Sequence, residues 1–156
     1  VRGIDAVDGT PVIDIKPYYE QDIVFSPLTP DIRPSSLQMR REIFLKEALA
    51  PHQEECGQLL LAVRMALMAE ERLRKLNSPD IFVRVTGSPC LADVIQGLTR
   101  ARLSNPPRFD FEFSDTVCKT WWKKGNQVFT ISLKQPVKHM ELLILADEDF
   151  LEIIDG

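Results

Sequence analysis

The sequence predicts an α+β domain, a mostly antiparallel sheet with two or three buried helices packed on one face. Three observations carry this. The stretch Leu59–Ala69 is apolar all round except for Arg64, as in a helix through the middle of a core. Short runs near Ile81, Phe109 and on both sides of Gly125 alternate apolar with polar residues, as strands do. Helical and strand patterns mix without strict βαβ alternation, which argues against an all-parallel sheet.

With 156 residues the chain is one domain with a short appendage and buries roughly 70% of its unfolded surface. No run of 18 apolar residues predicts a transmembrane helix, and no basic segment followed by an apolar one predicts a signal peptide. The chain opens on Val1, which fits either a fragment or a non-Met start codon. Three irregularly spaced cysteines argue against a disulfide framework and for a reducing, cytoplasmic setting. Net charge is −4, yet residues 84–138 hold nine Lys/Arg against four Asp/Glu, while residues 139–156 hold six acids and neither Lys nor Arg. Either the acidic tail folds back on the basic strands and both faces are solvated, or the basic excess meets nucleic acid.

Residues 1–36 form the appendage. Asp8-Gly9 is a turn, and Val12, Ile13 and Ile15 mark a short strand that Pro17 ends. Residues 26–36, SPLTPDIRPSS, are too rich in proline for a helix or central strand and form an extended linker.

Residues 3–18, GIDAVDGTPVIDIKPY, resemble the segment near the end of the catalytic domain in the TrmO (YaeB-like) family. Its members are S-adenosylmethionine-dependent methyltransferases with a β-barrel fold, acting on N6 of a modified tRNA adenosine. The resemblance implies that Asp8, Gly9, Thr10 and Pro11 belong to a cofactor loop, with the rest of the barrel upstream. It implies S-adenosylmethionine as a cofactor and tRNA as a partner for the longer protein, and a docked hairpin remnant here.

The second domain is expected over residues 37–156. Leu37–Leu49 is helical, with Leu37, Ile43 or Phe44, and Ala48 on one side and Ser35 or Ser36 as its cap. Pro51 is expected to end that helix and to open the central one, which runs to about Leu76 with Glu54 and Glu55 in its first turn. On this reading His52 and Cys56 share one helix face, four residues apart. Asn77-Ser78-Pro79 is a turn, and Ile81, Val83 and Val85 alternate along a strand. Ser88 caps and Pro89 opens a second buried helix over Cys90–Leu103. Phe109, Phe111 and Phe113 give a strand one greasy face. Val117–Lys123 and Gln127–Leu133 flank Lys124-Gly125-Asn126 as a hairpin. The tail, MELLILA then DEDFLEII, fits a short helix or a strand, with Asp147, Glu148 and Asp149 as a solvated helix start.

The block Phe44–Lys134 resembles the FmdE-like family of formylmethanofuran dehydrogenase proteins. There a His-Gly-His-x-Cys-Pro-Gly motif leads into a GYRMA-like stretch, matched here by His52 to Gln58 and then Ala62-Val63-Arg64-Met65-Ala66. Cys90, Asp93, Gln96 and Thr99 match a later cysteine and Asp-x-x-Gln helix. Glu54 replaces the second histidine, Gly57-Gln58 replaces Pro-Gly, and Ala101 replaces a turn cysteine. The resemblance implies a metal held by His52, Cys56 and Cys90, with zinc fitting the sulfur and nitrogen donors. Helix N-termini would favour the thiolates. The alternative is a decayed site, with both cysteines as small apolar residues and His52 simply hydrogen-bonded at a helix end.

Cys118 reads as packing. Trp121 and Trp122 face opposite sides of a strand, one inward. The outward one, beside Lys123 and Lys124, suits RNA stacking or the homodimer contact that the FmdE-like resemblance implies. No nucleophile–base pair, phosphate-cradling glycine loop or carboxylate dyad appears, so no catalytic residue is assigned. Two functions follow: an accessory, non-catalytic FmdE-like domain of a TrmO-like methyltransferase that binds a metal or a partner, or an independent FmdE-like metalloprotein with a redox or one-carbon role.

Overall fold

The computed structural model describes Pro34 and residues 36–156, all within one compact unit, Ile32–Gly156. The expected hairpin and the cofactor loop at Asp8, Gly9, Thr10 and Pro11, with all of the expected linker but Pro34 and Ser36, lie outside the described residues.

Helix α1 spans Leu37–His52, and the Ser36 hydroxyl accepts from the Met39 amide at its start. Helix α2 is Gly57–Leu73, and α3 is Pro89–Thr99, following strand β1, Ile81–Gly87. Strands β2 (Phe109–Phe113), β3 (Lys119–Lys124) and β4 (Gln127–Leu133) come next. Two single-turn helices, α4 (Glu141–Ile144) and α5 (Asp147–Phe150), lead into β5, Leu151–Asp155. The sheet order is β2-β1-β3-β4-β5. Three of its four pairings are antiparallel and β1–β2 is parallel, so the fold is α+β as the sequence predicts.

The parallel pair is joined through α3, because parallel neighbours need a crossover rather than a hairpin. Helices α2 and α3 pack on the sheet and α1 packs on both of them. Flanked by the sheet and α1, α2 is buried at every residue from Leu59 to Leu67, which is why its apolar surface has no polar side. Val83, Trp122 and Phe129 stand side by side across three strands beneath these helices.

Several expectations are corrected. Pro51 does not open the central helix: it sits in the last turn of α1, and Gln53 stops that helix at φ 62° with its N–H on the Leu49 carbonyl at 2.8 Å. Glu54 and Glu55 therefore lie in a connection, and α2 ends at Leu73 rather than near Leu76. Helix α3 stops at Thr99, with Arg100 left-handed, rather than running to Leu103. The greasy face of β2 is mostly uncovered, since only Phe109 is buried while Phe111 and Phe113 are exposed on an edge strand. Leu37 is also exposed, whereas Ala48 is buried and Phe44 packs on the core as expected; α1 also buries Arg40, paired with Glu70 and Glu71 of α2.

Trp122 is fully buried and Trp121 partly so, on opposite faces as the alternation requires. The hairpin turn is Gly125-Asn126 alone, with Gly125 at φ 57° and Lys124 still in the strand. The tail pairs with β4 through β5 and is anchored to α2 by side chains. Arg64, buried in α2, ion-pairs with Asp147, donates to the Leu142 and Leu145 carbonyls at 2.8 and 2.7 Å, and lies over the Phe150 ring. Asp147, Glu148 and Asp149 open α5 as expected, and Glu148 and Asp149 are exposed, but Asp147 is an anchor rather than solvated. Arg72 of α2 pairs with Asp155 in the same way. Among the described residues no helix is long and apolar enough to cross a membrane.

Candidate metal centre

Three helix ends meet at one point. Helix α1 ends at His52, and the left-handed Gln53 turns the chain through Glu54 and Glu55 to Cys56, the N-cap of α2. Cys56 Sγ accepts from the Leu59 amide at 3.4 Å, filling the role that a serine hydroxyl usually plays. Cys90 sits in the first turn of α3, behind Pro89 and the cap Ser88. The Ser88 hydroxyl accepts from the Leu91 amide at 3.2 Å and donates to Gln58 Oε1 at 3.2 Å, tying the start of α3 to the start of α2.

The result is a cluster of His52, Cys56 and Cys90, all half-buried, whose donor atoms lie within 4.8 Å of one another. His52 Nε2 and Cys56 Sγ are 3.4 Å apart. The proximity expected from a single helix face is realised by another route, a helix end and a helix start facing each other across a short connection. Glu54 is exposed and takes no part in the cluster.

The separations fit a tetrahedral zinc. Bond lengths of about 2.3 Å to sulfur and about 2.0 Å to nitrogen place neighbouring ligand atoms about 3.5–3.8 Å apart. The cluster is therefore within about 1 Å of that spacing and offers three donors for four positions. The two thiols sit at the N-termini of α2 and α3, and the imidazole sits at the C-terminus of α1. Cys90 nonetheless departs from the expected lowering. Its burial, the neighbouring Cys56 charge and hydrogen bond, and Asp93 one turn on all push its thiol above the usual value. In the metal-free chain Cys90 keeps its proton at neutral pH, and a metal would have to displace it.

Beside the cluster, across the first turn of α2, is a cavity of about 290 Å³. Gly57, Gln58 and Ser88 border it on the helix side, Cys118 and Leu133 on the sheet side, and Leu142 of α4 closes it. Burial pushes the Cys118 thiol up to about 11, which fits its expected packing role. Sequence reasoning missed the Ser88–Gln58 tie. A cap residue followed by Pro89 was visible, but its second partner lies 30 residues away.

No family model matches the chain. A protein of Archaeoglobus fulgidus, named "Probable S-adenosyl-L-methionine-binding protein", is 34% identical over 112 residues, covering 67% of this chain and 31% of that protein. A protein of the same name from Methanothermobacter thermautotrophicus is 85% identical over 20 residues, 13% of this chain and 15% of that protein. The chain thus spans less than a third of the length of either relative in these matches.

Proposed function

We propose that this chain is a metal-binding accessory domain, FmdE-like in architecture, belonging to a TrmO-like S-adenosylmethionine-dependent tRNA methyltransferase and non-catalytic by itself. The observation that carries the metal reading is the convergence of one imidazole and two thiols within 4.8 Å at three helix ends. Sulfur and nitrogen donors at tetrahedral spacing suit zinc over magnesium or calcium, which take oxygen. Bound there, zinc would cross-link the end of α1 to the starts of α2 and α3. Two relatives named for S-adenosylmethionine binding support the link to that cofactor. Asp8, Gly9, Thr10 and Pro11 are the residues proposed to meet it in the longer protein. The outward Trp121, between Lys119 and Lys123 on its strand, is proposed to face tRNA or a second copy of the chain.

Thermal unfolding with and without zinc tests the metal reading. A zinc-dependent rise in Tm that Cys56→Ser abolishes supports it, because a ligand bound only by the native state stabilises that state. An unchanged Tm in both proteins contradicts it.

A second reading draws on the cavity of about 290 Å³ beside the cluster. Three protein ligands leave a position for water or substrate, so an independent redox or one-carbon role would use that cavity as its substrate pocket. The two readings divide on whether the fourth position is open or filled.

A further inference from the structure

The chain has two histidines, and both lie at the mouth of α2. His52 is in the cluster. His139 packs against Gly57, the residue directly after Cys56: a Cβ placed on Gly57 would lie 3.8 Å from His139 Nδ1 and 3.8 Å from its Cβ. A Cβ at Gly57 would meet the imidazole only at ordinary van der Waals distance, so His139 lies directly over this helix start.

The turn carrying His139 is held in place. The Lys138 amide donates to Glu141 Oε2 at 2.7 Å, and the Leu142 amide donates to the Lys138 carbonyl at 3.2 Å. The Leu142 carbonyl in turn accepts from Arg64 at 2.8 Å and from Arg41 at 3.4 Å, the two arginines reaching it from different helices. The His139 ring itself is exposed, so it can change rotamer without moving that backbone. It is not one of the three clustered donors.

We propose that His139 turns over Gly57 when metal binds and supplies the fourth donor, closing a Cys₂His₂ site made of His52, Cys56, Cys90 and His139. The proposal rests on the three-donor reading above and assigns its class. Closed four-ligand sites are structural, whereas catalytic zinc keeps one position for water. A fourth ligand from the turn before α4 also joins the C-terminal segment to the three helix ends, so metal would fasten four parts of the chain at one point.

Cobalt(II) binding to the full chain under reducing conditions tests this, with zinc competition to give affinities. The unaltered chain should show the intense visible bands of tetrahedral cobalt together with thiolate charge transfer. His139→Ala should weaken zinc binding by at least the roughly 10–100-fold seen when a mere outer-shell partner is lost. Its cobalt bands should shift while charge transfer from two thiolates persists. His139→Cys should restore the affinity and raise charge transfer by about half, three thiolates replacing two. The substitution is at an exposed position, and an unchanged urea midpoint of the metal-free variant shows that folding is intact. Identical spectra and affinity for His139→Ala and the unaltered chain overturn the fourth ligand and leave the three-donor reading standing. Absence of cobalt uptake by the unaltered chain overturns both.

Discussion

Replacing Arg64 by Met removes the anchor between α2 and the C-terminal segment, and the size of the loss can be worked from its contacts. The guanidinium pairs with Asp147, donates to two carbonyls at 2.8 and 2.7 Å, and stacks on Phe150 at 5.0 Å from the ring centre. Breaking a buried ion pair from one side costs about 3–5 kcal/mol, because the remaining partners stay desolvated. The Asp147 side chain is 26% exposed and can rehydrate in part, which points to the lower end. Met keeps the apolar stem over Phe150 and opens little cavity. The expected cost is therefore about 3 kcal/mol, a fall in Tm of roughly 10 °C for a unit of this size. Urea unfolding of the full chain measures it, with an unchanged slope showing that the denatured state is not the cause. Asp147→Asn alone and the double variant complete a cycle whose coupling should exceed about 0.5 kcal/mol. A loss below about 1 kcal/mol, or no coupling, would refute the reasoning and leave the segment held by β5 alone.

Other expected outcomes are local. Gly87→Ala should destabilise the start of α3 by about 1–3 kcal/mol, since the new methyl would sit 2.9 Å from Leu91 Cδ2 at a backbone φ of +156°; a neutral result in urea would show that Leu91 simply moves aside. Cys118, held near 11 against an ordinary 9, should carry roughly a hundredfold less thiolate than a free cysteine at pH 8.5 and alkylate last of the three, as peptide mapping would show. Its raised value also means stability present below about pH 9 and lost as pH climbs through about 11, because the unfolded thiol ionises first. Cys118→Ala should flatten that decline between pH 9 and 11, and an unaltered slope would assign it to other groups.

Much of this architecture is legible in the sequence because local chemistry decides it. Ser36 and the Ser88-Pro89 pair cap the helices they precede. The alternation along β1, β3 and β4 sorts their residues between two faces, with Trp121 and Trp122 opposed, and the structure covers the face that carries Val83, Trp122 and Phe129. The break between α1 and α2 was harder to see. Pro51 is tolerated one residue before a helix end, and it is the left-handed Gln53, not the proline, that stops α1. A signal was present in the polar Gln53-Glu54-Glu55 run followed by Gly57, with no apolar residue between Ala50 and Leu59 except Pro51 and Cys56. The β2 phenylalanines show the opposite limit: alternation gives the face but not whether anything covers it, and of the three only Phe109 is buried. The cluster itself was legible as His52, Cys56 and Cys90 because two helix starts carried the cysteines. His139 was not, since nothing near it in sequence marks a site and its neighbour Gly57 is 82 positions away.

Metal content of the purified chain is the most direct measurement of whether these helix ends form a metal centre. Protein prepared without chelator should hold one zinc per chain, and Cys56→Ser prepared in parallel should have lost it. Sub-stoichiometric metal in the unaltered chain, or equal metal in both, would contradict the account and leave two thiols and an imidazole as packing at a helix junction.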